Sequence, residues 1–170
     1  PNLEKNTILE HLKFMKNYPS FNEYCDGRWK PMGKVMDSGT SPLQKRVQFL
    51  LASLVVNPRN AFATNLIFAR FKSENHISDF DLLAKKCWVV HSFLLTKVCP
   101  KLIIVLGNKS FDFVSKKIVS VSKTDQFETG HGQGWRCKYL EGILHGRKTG
   151  LIMLPHLSRF AINKIKYQPV

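Results

Sequence analysis

The run Leu102–Leu106, five apolar residues closed by Gly107-Asn108, constrains the fold more than any other feature. A short continuous apolar run ending in a turn signal is the pattern of a strand buried on both faces, as in a helix-covered parallel sheet. The flanking sequence supplies such helices. Ahead of the run, Ser78 or Asp79 caps a helix that carries Phe80, Leu83, Cys87, Val90 and Leu94 at helical spacing, and Pro100 stops it. Behind it, Lys109 to Ile118 reads as another helix. Alternation of this kind predicts an α/β sandwich with a mainly parallel sheet.

The remainder of the chain extends the pattern within one expected domain, residues 1–170. Glu4 to Tyr18 reads as a helix with Ile8, Leu12 and Phe14 or Met15 on one face, ended by Pro19. Residues 19–41 form a long irregular stretch containing Phe21, Tyr24 and Trp29, and loops of that length are uncommon and often functional. Ser41-Pro42 is a helix start, with Ser as N-cap and Pro at the first helical position, followed by Leu43, Val47, Leu50, Leu51 and Leu54. Ala61 to Phe68 is expected to be a short buried strand interrupted by Thr64-Asn65. Ser120 to Gly134 reads as a loop, Trp135 to Leu140 as a strand, and Leu151 to Leu154 as a last strand ended by Pro155-His156. Ser158 to Lys166 is expected to be a short terminal helix.

Charge narrows the partner. Twenty-six Lys and Arg against twelve Asp and Glu leave a net +14, which draws in a polyanion such as nucleic acid. No apolar run approaches the ~18–20 residues needed to cross a bilayer. The best candidate, Trp88 to Val98, is broken by His91 and Lys97, so no membrane partner is expected. The chain opens at Pro1 without an initiator Met, a basic n-region or an apolar h-region, so the expectation is a fragment or processed chain that is not secreted. Cysteines at 25, 87, 99 and 137 form no C-x-x-C pair and read as reduced thiols, with neither zinc nor an iron–sulfur cluster expected. No metal and no cofactor are assigned. Gly130-His131-Gly132-Gln133-Gly134 lacks the Lys-Ser/Thr of a P-loop and reads as a turn.

Ligands in such sheets sit outside the carboxyl ends of the strands. Three expected strand ends carry polar signatures: Thr64-Asn65, Gly107-Asn108 with Lys109, and Pro155-His156-Leu157-Ser158. The Asn65 carboxamide has one acceptor and two donors, enough to read a pyrimidine edge, or else to satisfy loop backbone. A neutral His156 can donate to a carbonyl oxygen that gains charge, or it can be a structural histidine. Ser158 and Arg159 suit phosphate contacts, and Ser158 suits a helix cap as well. Phe160 reads either as a wedge entering a base stack or as a core anchor.

Ala63-Thr64-Asn65-Leu66, Leu102 to Gly107, and Leu154-Pro155-His156-Leu157-Ser158-Arg159 together resemble the uracil-DNA glycosylase superfamily in order and approximate spacing, over about residues 41–165. The resemblance implies a three-layer α/β/α sandwich with a central, mainly parallel four-stranded sheet. It also implies base flipping and metal-free hydrolysis of an N-glycosidic bond. Asn65 would read the base edge, His156 would stabilise the leaving anion, Ser158 would pinch a phosphate, and Arg159-Phe160 would fill the vacated stack. Ser41 would grip the DNA backbone alongside Gly107, Asn108 and Lys109, and Trp29 or Tyr24 would stack on the flipped base.

Two departures stand out. Leu157 replaces the Pro of the family's usual His-Pro-Ser, and the family's first motif, a strand and Gly-rich turn bearing a water-positioning Asp, Asn or Glu, is not found. The expectation is that the chain begins just after that strand or has lost the group. The function expected is therefore a monomeric DNA base glycosylase acting on uracil or another modified base, cytoplasmic in a bacterium or nuclear in a eukaryote. The alternative is a non-catalytic nucleic-acid-binding module, or modified-DNA sensor, on the same fold.

Overall fold

A computed structural model describes residues 13, 14, 16–30, 33–69, 76–129 and 134–162. The chain divides into two compact units, Pro1–Ala61 with Ala161–Ile165 and Phe62–Phe160 with Lys166–Val170.

In the first unit, helix α1 spans Pro42–Ser53 and starts where Ser41-Pro42 predicts. Ser41 and Gln44 form a reciprocal capping box: Gln44 N–H donates to Ser41 Oγ at 3.3 Å, and Ser41 N–H donates to Gln44 Oε1 at 3.0 Å. A 3₁₀ turn, Pro58–Asn60, follows. The stretch before α1 is irregular, as expected, yet it is tethered throughout. Asn22 accepts from the N–H groups of Tyr24 and Cys25, and its amide donates to Pro58 O. Arg59 forks onto Asp26 at 2.8 and 2.6 Å, and this guanidinium holds the Asp26 carboxyl below the usual carboxylate range. Of the expected helix Glu4 to Tyr18, residues 1–12 and 15 lie outside the described residues; Lys13, Phe14, Lys16 and Asn17 are helical.

The second unit is an α/β unit built on a four-stranded mixed sheet in the order β1-β4-β3-β2. Its elements are α2 (Phe80–Val98), β1 (Leu102–Leu106), α3 (Asn108–Ser115), β2 (Val119–Glu128), β3 (Arg136–Leu144) and β4 (Arg147–Leu154). Both helices and β1 fall where the sequence puts them, but β1 is an edge strand with no fully buried residue and not a strand buried on both faces. Cys99, in the left-handed region, closes α2 one residue before Pro100. Alternate residues Ile103 and Val105 of β1, Leu151 and Met153 of β4, and Leu140 of β3 share one face of the sheet. Ala84 and Trp88 of α2 and Phe111, Phe113 and Val114 of α3 pack into the same core. Among the described residues no helix is long and apolar enough to cross a membrane.

Four further sequence expectations are corrected here. The sheet is not mainly parallel, because only β1–β4 is a parallel pair and β3 is antiparallel to both of its neighbours. Residues 120–128 are not loop but most of strand β2, whose ten residues are all exposed and whose apolar Val119, Val121 and Phe127 alternate with a break at Lys123 and Asp125. Strands β3 and β4 run longer than expected and meet in a two-residue turn. His145 and Gly146 there both have positive φ, 48° and 75°, as a type I′ hairpin demands. Ala61 to Phe68 is not a strand. Only its end packs on α2: Ile67 is in the core with Leu66 partly buried beside it, and Leu66 O and the half-exposed Phe68 ring both meet His91, whereas Phe62 and Ala63 are exposed.

Candidate functional site

The parallel register sets Leu106 opposite Leu154, so the carboxyl ends of β1 and β4 open side by side. Gly107 N–H donates to Leu154 O at 2.9 Å, which extends the ladder by one bond and joins the two exits. Gly107 has φ +95° and caps α3 with no side chain, so the first turn of that helix, Asn108 and Lys109, begins at the strand mouth. A Cβ built on Gly107 meets nothing within 4 Å, so the requirement for Gly is conformational. Gly107→Ala is expected to lower stability by about 1–2 kcal/mol through backbone strain alone, read as a shift of the denaturation midpoint with an unchanged slope.

Across from it, residues 155–160 fold into a tight turn. His156 O accepts from the N–H groups of both Arg159 and Phe160, at 2.9 and 3.0 Å. Leu157 is fully buried and Phe160 is 2% exposed, with its ring 6.1 Å from that of Trp135. These two side chains peg the turn into the protein, and His156, Ser158 and Arg159 are left on its exposed side. Phe160 is therefore the core anchor and not a wedge. The expected terminal helix Ser158 to Lys166 is corrected over its described part, since residues 158–162 are turn and irregular backbone and not helix, and residues 163–166 lie outside the described residues.

Hydrogen bonding fixes the state of His156. Ser158 N–H points at Nδ1 from 3.2 Å, and Ser158 Oγ lies 2.7 Å from the same nitrogen. A backbone N–H can only donate, so Nδ1 is the acceptor and the neutral ring carries its proton on Nε2. The Ser158 hydroxyl then donates to Nδ1 as well. Ser158 thus serves as the clamp that sets the tautomer of His156. The outcome is an imidazole held on a pegged turn, beside a helix start, with a donor on Nε2.

The other candidates are placed as follows. Asn65 is exposed in the irregular segment before Leu66, not at a strand end. The segment is nevertheless fixed immediately after Asn65: His91 is 4% exposed, and its Nε2 lies 3.0 Å from Leu66 O. A carbonyl accepts only, so that nitrogen is the protonated one. Sequence reading passed over His91, which looks like one polar interruption in an apolar helix.

In the first unit Ser41 is 3% exposed with its hydroxyl engaged in the cap, so its side chain is a cap and not a phosphate contact. Burial, and secondarily the charge of Glu23, pushes the Tyr24 phenol up from its usual pKa. Trp29 is half-buried, and its indole N–H is enclosed without a hydrogen-bond partner among the described residues. The loop bearing both aromatics is stitched to α1 by two glutamines one turn apart. Gln44 Nε2 donates to Glu23 O and Gly27 O at 2.7 and 2.8 Å. Gln48 Nε2 donates to Tyr24 O and Gly39 O at 2.6 and 3.0 Å.

Among the described residues no three His, Cys, Asp or Glu side chains gather as a metal site would require. Residues 130–133 of the Gly-rich pentapeptide lie outside the described residues. No family model, curated protein or solved structure matches the chain.

Proposed function

We propose that this chain is a DNA base glycosylase that hydrolyses the N-glycosidic bond of uracil or another modified base after flipping it out of the stack. In this reading the β1–β4 pair is the site-bearing part of the three-layer α/β/α architecture that the resemblance implies. The protein works wherever the cell keeps its DNA, the cytoplasm of a bacterium or the nucleus of a eukaryote. The observation that carries the proposal is the clamped His156: a neutral imidazole held to one tautomer, with its proton on the nitrogen remote from the clamp.

A base departs by heterolysis of the C1′–N bond. The bonding pair stays on the base and spreads to its carbonyl oxygen, water adds at C1′, and the proton that this water sheds to leave the C1′ hydroxyl ends on the departed base. A fixed N–H donor at that oxygen is worth most when the charge has developed, because a preorganised dipole needs no reorganisation at that moment. His156 Nε2 supplies it. Asn65 pairs with the base edge. Ser158 keeps both its donors on His156. Arg159, Asn108 and Lys109 hold phosphates around the extruded nucleotide, and the net charge of +14 draws the strand in. Together these contacts must offset the few kcal/mol of stacking and pairing lost when the base is flipped.

The test is single-turnover base release from oligonucleotides carrying uracil, hypoxanthine or a hydroxymethylated base. Release of one of these, with Asn65→Asp changing which base is preferred, is the expected result. If no base is released while the chain still binds DNA, the glycosylase reading falls and a binding module takes its place.

A further inference from the structure

β2 is the outer strand of the sheet, ten residues long, and every residue on it is exposed. Strands average about 5–6 residues, and a long open edge is a template for another strand unless something guards it. Val121 and Phe127 on it are 48% and 51% exposed. The guards present are a register shift between Val119 and Lys123, a lysine at position 123 and an aspartate at 125. We propose that β2 is an interface between two copies of this chain, paired antiparallel about a two-fold axis at Thr124.

The register follows from symmetry. Facing pairs in an antiparallel ladder alternate between hydrogen-bonded and non-hydrogen-bonded types. Two identical strands related by a two-fold axis must therefore place one residue opposite itself. Centring on Lys123 or on Asp125 sets like charges face to face, which destabilises. Centring on Gln126 puts Asp125 against Phe127. Centring on Thr124 sets Lys123 opposite Asp125 of the second copy, and does so twice. Ser122 then faces Gln126, and at each end of the ladder Val121 approaches Phe127 of the second copy, beside the register shift that limits regular pairing.

The charges on β2 fit this arrangement. Lys123 already stands opposite Glu141 of β3 and 5.8 Å from the Tyr139 ring, whereas Asp125 stands opposite Tyr139, with no cation facing it across that pair. Asp125 makes no ion pair among the described residues, and the open edge is a side from which a cation of a second copy reaches it. A lysine that discourages an unrelated strand is thus matched, two residues along, by the group that accepts it from a second copy. This inference is independent of the glycosylase reading, since none of the site residues lies on β2.

Sedimentation velocity on the whole chain, carried into the high micromolar range, tests it. The salt should be near 0.15 M, where a Debye length of about 8 Å screens the repulsion between two basic chains. Wild type is expected to form a concentration-dependent dimer. Lys123→Asp and Asp125→Lys should each weaken it by about tenfold or more, because both facing pairs become like-charged. An equimolar mixture of the two variants should restore it, because every facing pair is again opposite in sign. That recovery separates pairing across the edge from any local effect on Tyr139 or Glu141, which mixing cannot repair. A wild type that stays monomeric throughout the range overturns the proposal. So does a dimer indifferent to either reversal, or a mixture that fails to recover.

Discussion

Replacing His156 with Ala is expected to slow single-turnover base release by about 10²–10³-fold while changing DNA affinity by no more than about twofold. The asymmetry follows from the role proposed for the side chain. In that role its Nε2–H would meet an oxygen that is a weak acceptor in the bound substrate and a strong one as the base leaves, so the bond would be made mostly in the transition state. The phosphate contacts proposed to set affinity belong to other residues and would survive the change. His156 is exposed and the turn is pegged by Leu157 and Phe160, so the variant is expected to fold normally. Ser158→Ala removes the hydroxyl from Nδ1 and keeps the backbone N–H there. It should cost less, about tenfold or somewhat more, as the loss of a supporting hydrogen bond typically does. A His156→Ala protein that releases base at the wild-type rate takes His156 out of the chemistry. A fall in affinity equal to the fall in rate makes it a binding residue instead.

Leu157 acquires a meaning in this geometry. A fully buried leucine fixes the turn by packing, and the N–H groups of Arg159 and Phe160 close it onto His156 O. With Leu157 turned inward, His156 and Ser158 on either side of it are left exposed and within hydrogen-bond reach of each other.

What was legible in the sequence was whatever burial writes into a pattern. Leu102–Leu106 is a strand, as its apolar run predicts, though at an edge of the sheet and only partly buried, and Ser41-Pro42 starts a helix where its N-cap and proline place one. Strand β2 was missed because only Val119, Val121 and Phe127 of its ten residues are apolar, and Lys123 and Asp125 break their alternation so that the segment looks like loop. The segment around Asn65 failed for the converse reason. Leu66 and Ile67 are apolar because α2 covers them, and burial against a helix cannot be told from burial in a sheet over so short a run. At the candidate site, the sequence singled out His156 and Ser158 by their place just after an apolar run and a proline. The tautomer clamp needed atomic geometry, and so did the pegging of Phe160, which left two equally good readings in the sequence.

The largest stability loss is expected at a residue with no part in the chemistry. Gln44 is completely buried in the first unit, and its side chain makes three hydrogen bonds: it accepts from Ser41 N–H and donates to the carbonyls of Glu23 and Gly27. Gln44→Ala strands one backbone donor and two acceptors at once. Each buried orphan costs about 1–3 kcal/mol, and partial relaxation or entering water recovers some of that, so a net loss of about 2–4 kcal/mol is expected. For a chain of this size that corresponds to roughly 5–15 °C in Tm. Gln44→Glu is the sharper variant. It preserves shape and the acceptor for Ser41, yet it aims an oxygen at two carbonyl oxygens, so it should destabilise more than Ala at neutral pH. Lowering the pH toward the carboxyl's protonation should restore one donor and part of the stability. Hydrogen exchange across residues 22–29 locates the effect, since the loop carrying Tyr24 and Trp29 loses two of its ties to α1. If Gln44→Glu proves as stable as wild type, the two carbonyl bonds are not what holds that loop, and the expectation that its aromatics are presented on a fixed backbone goes with them.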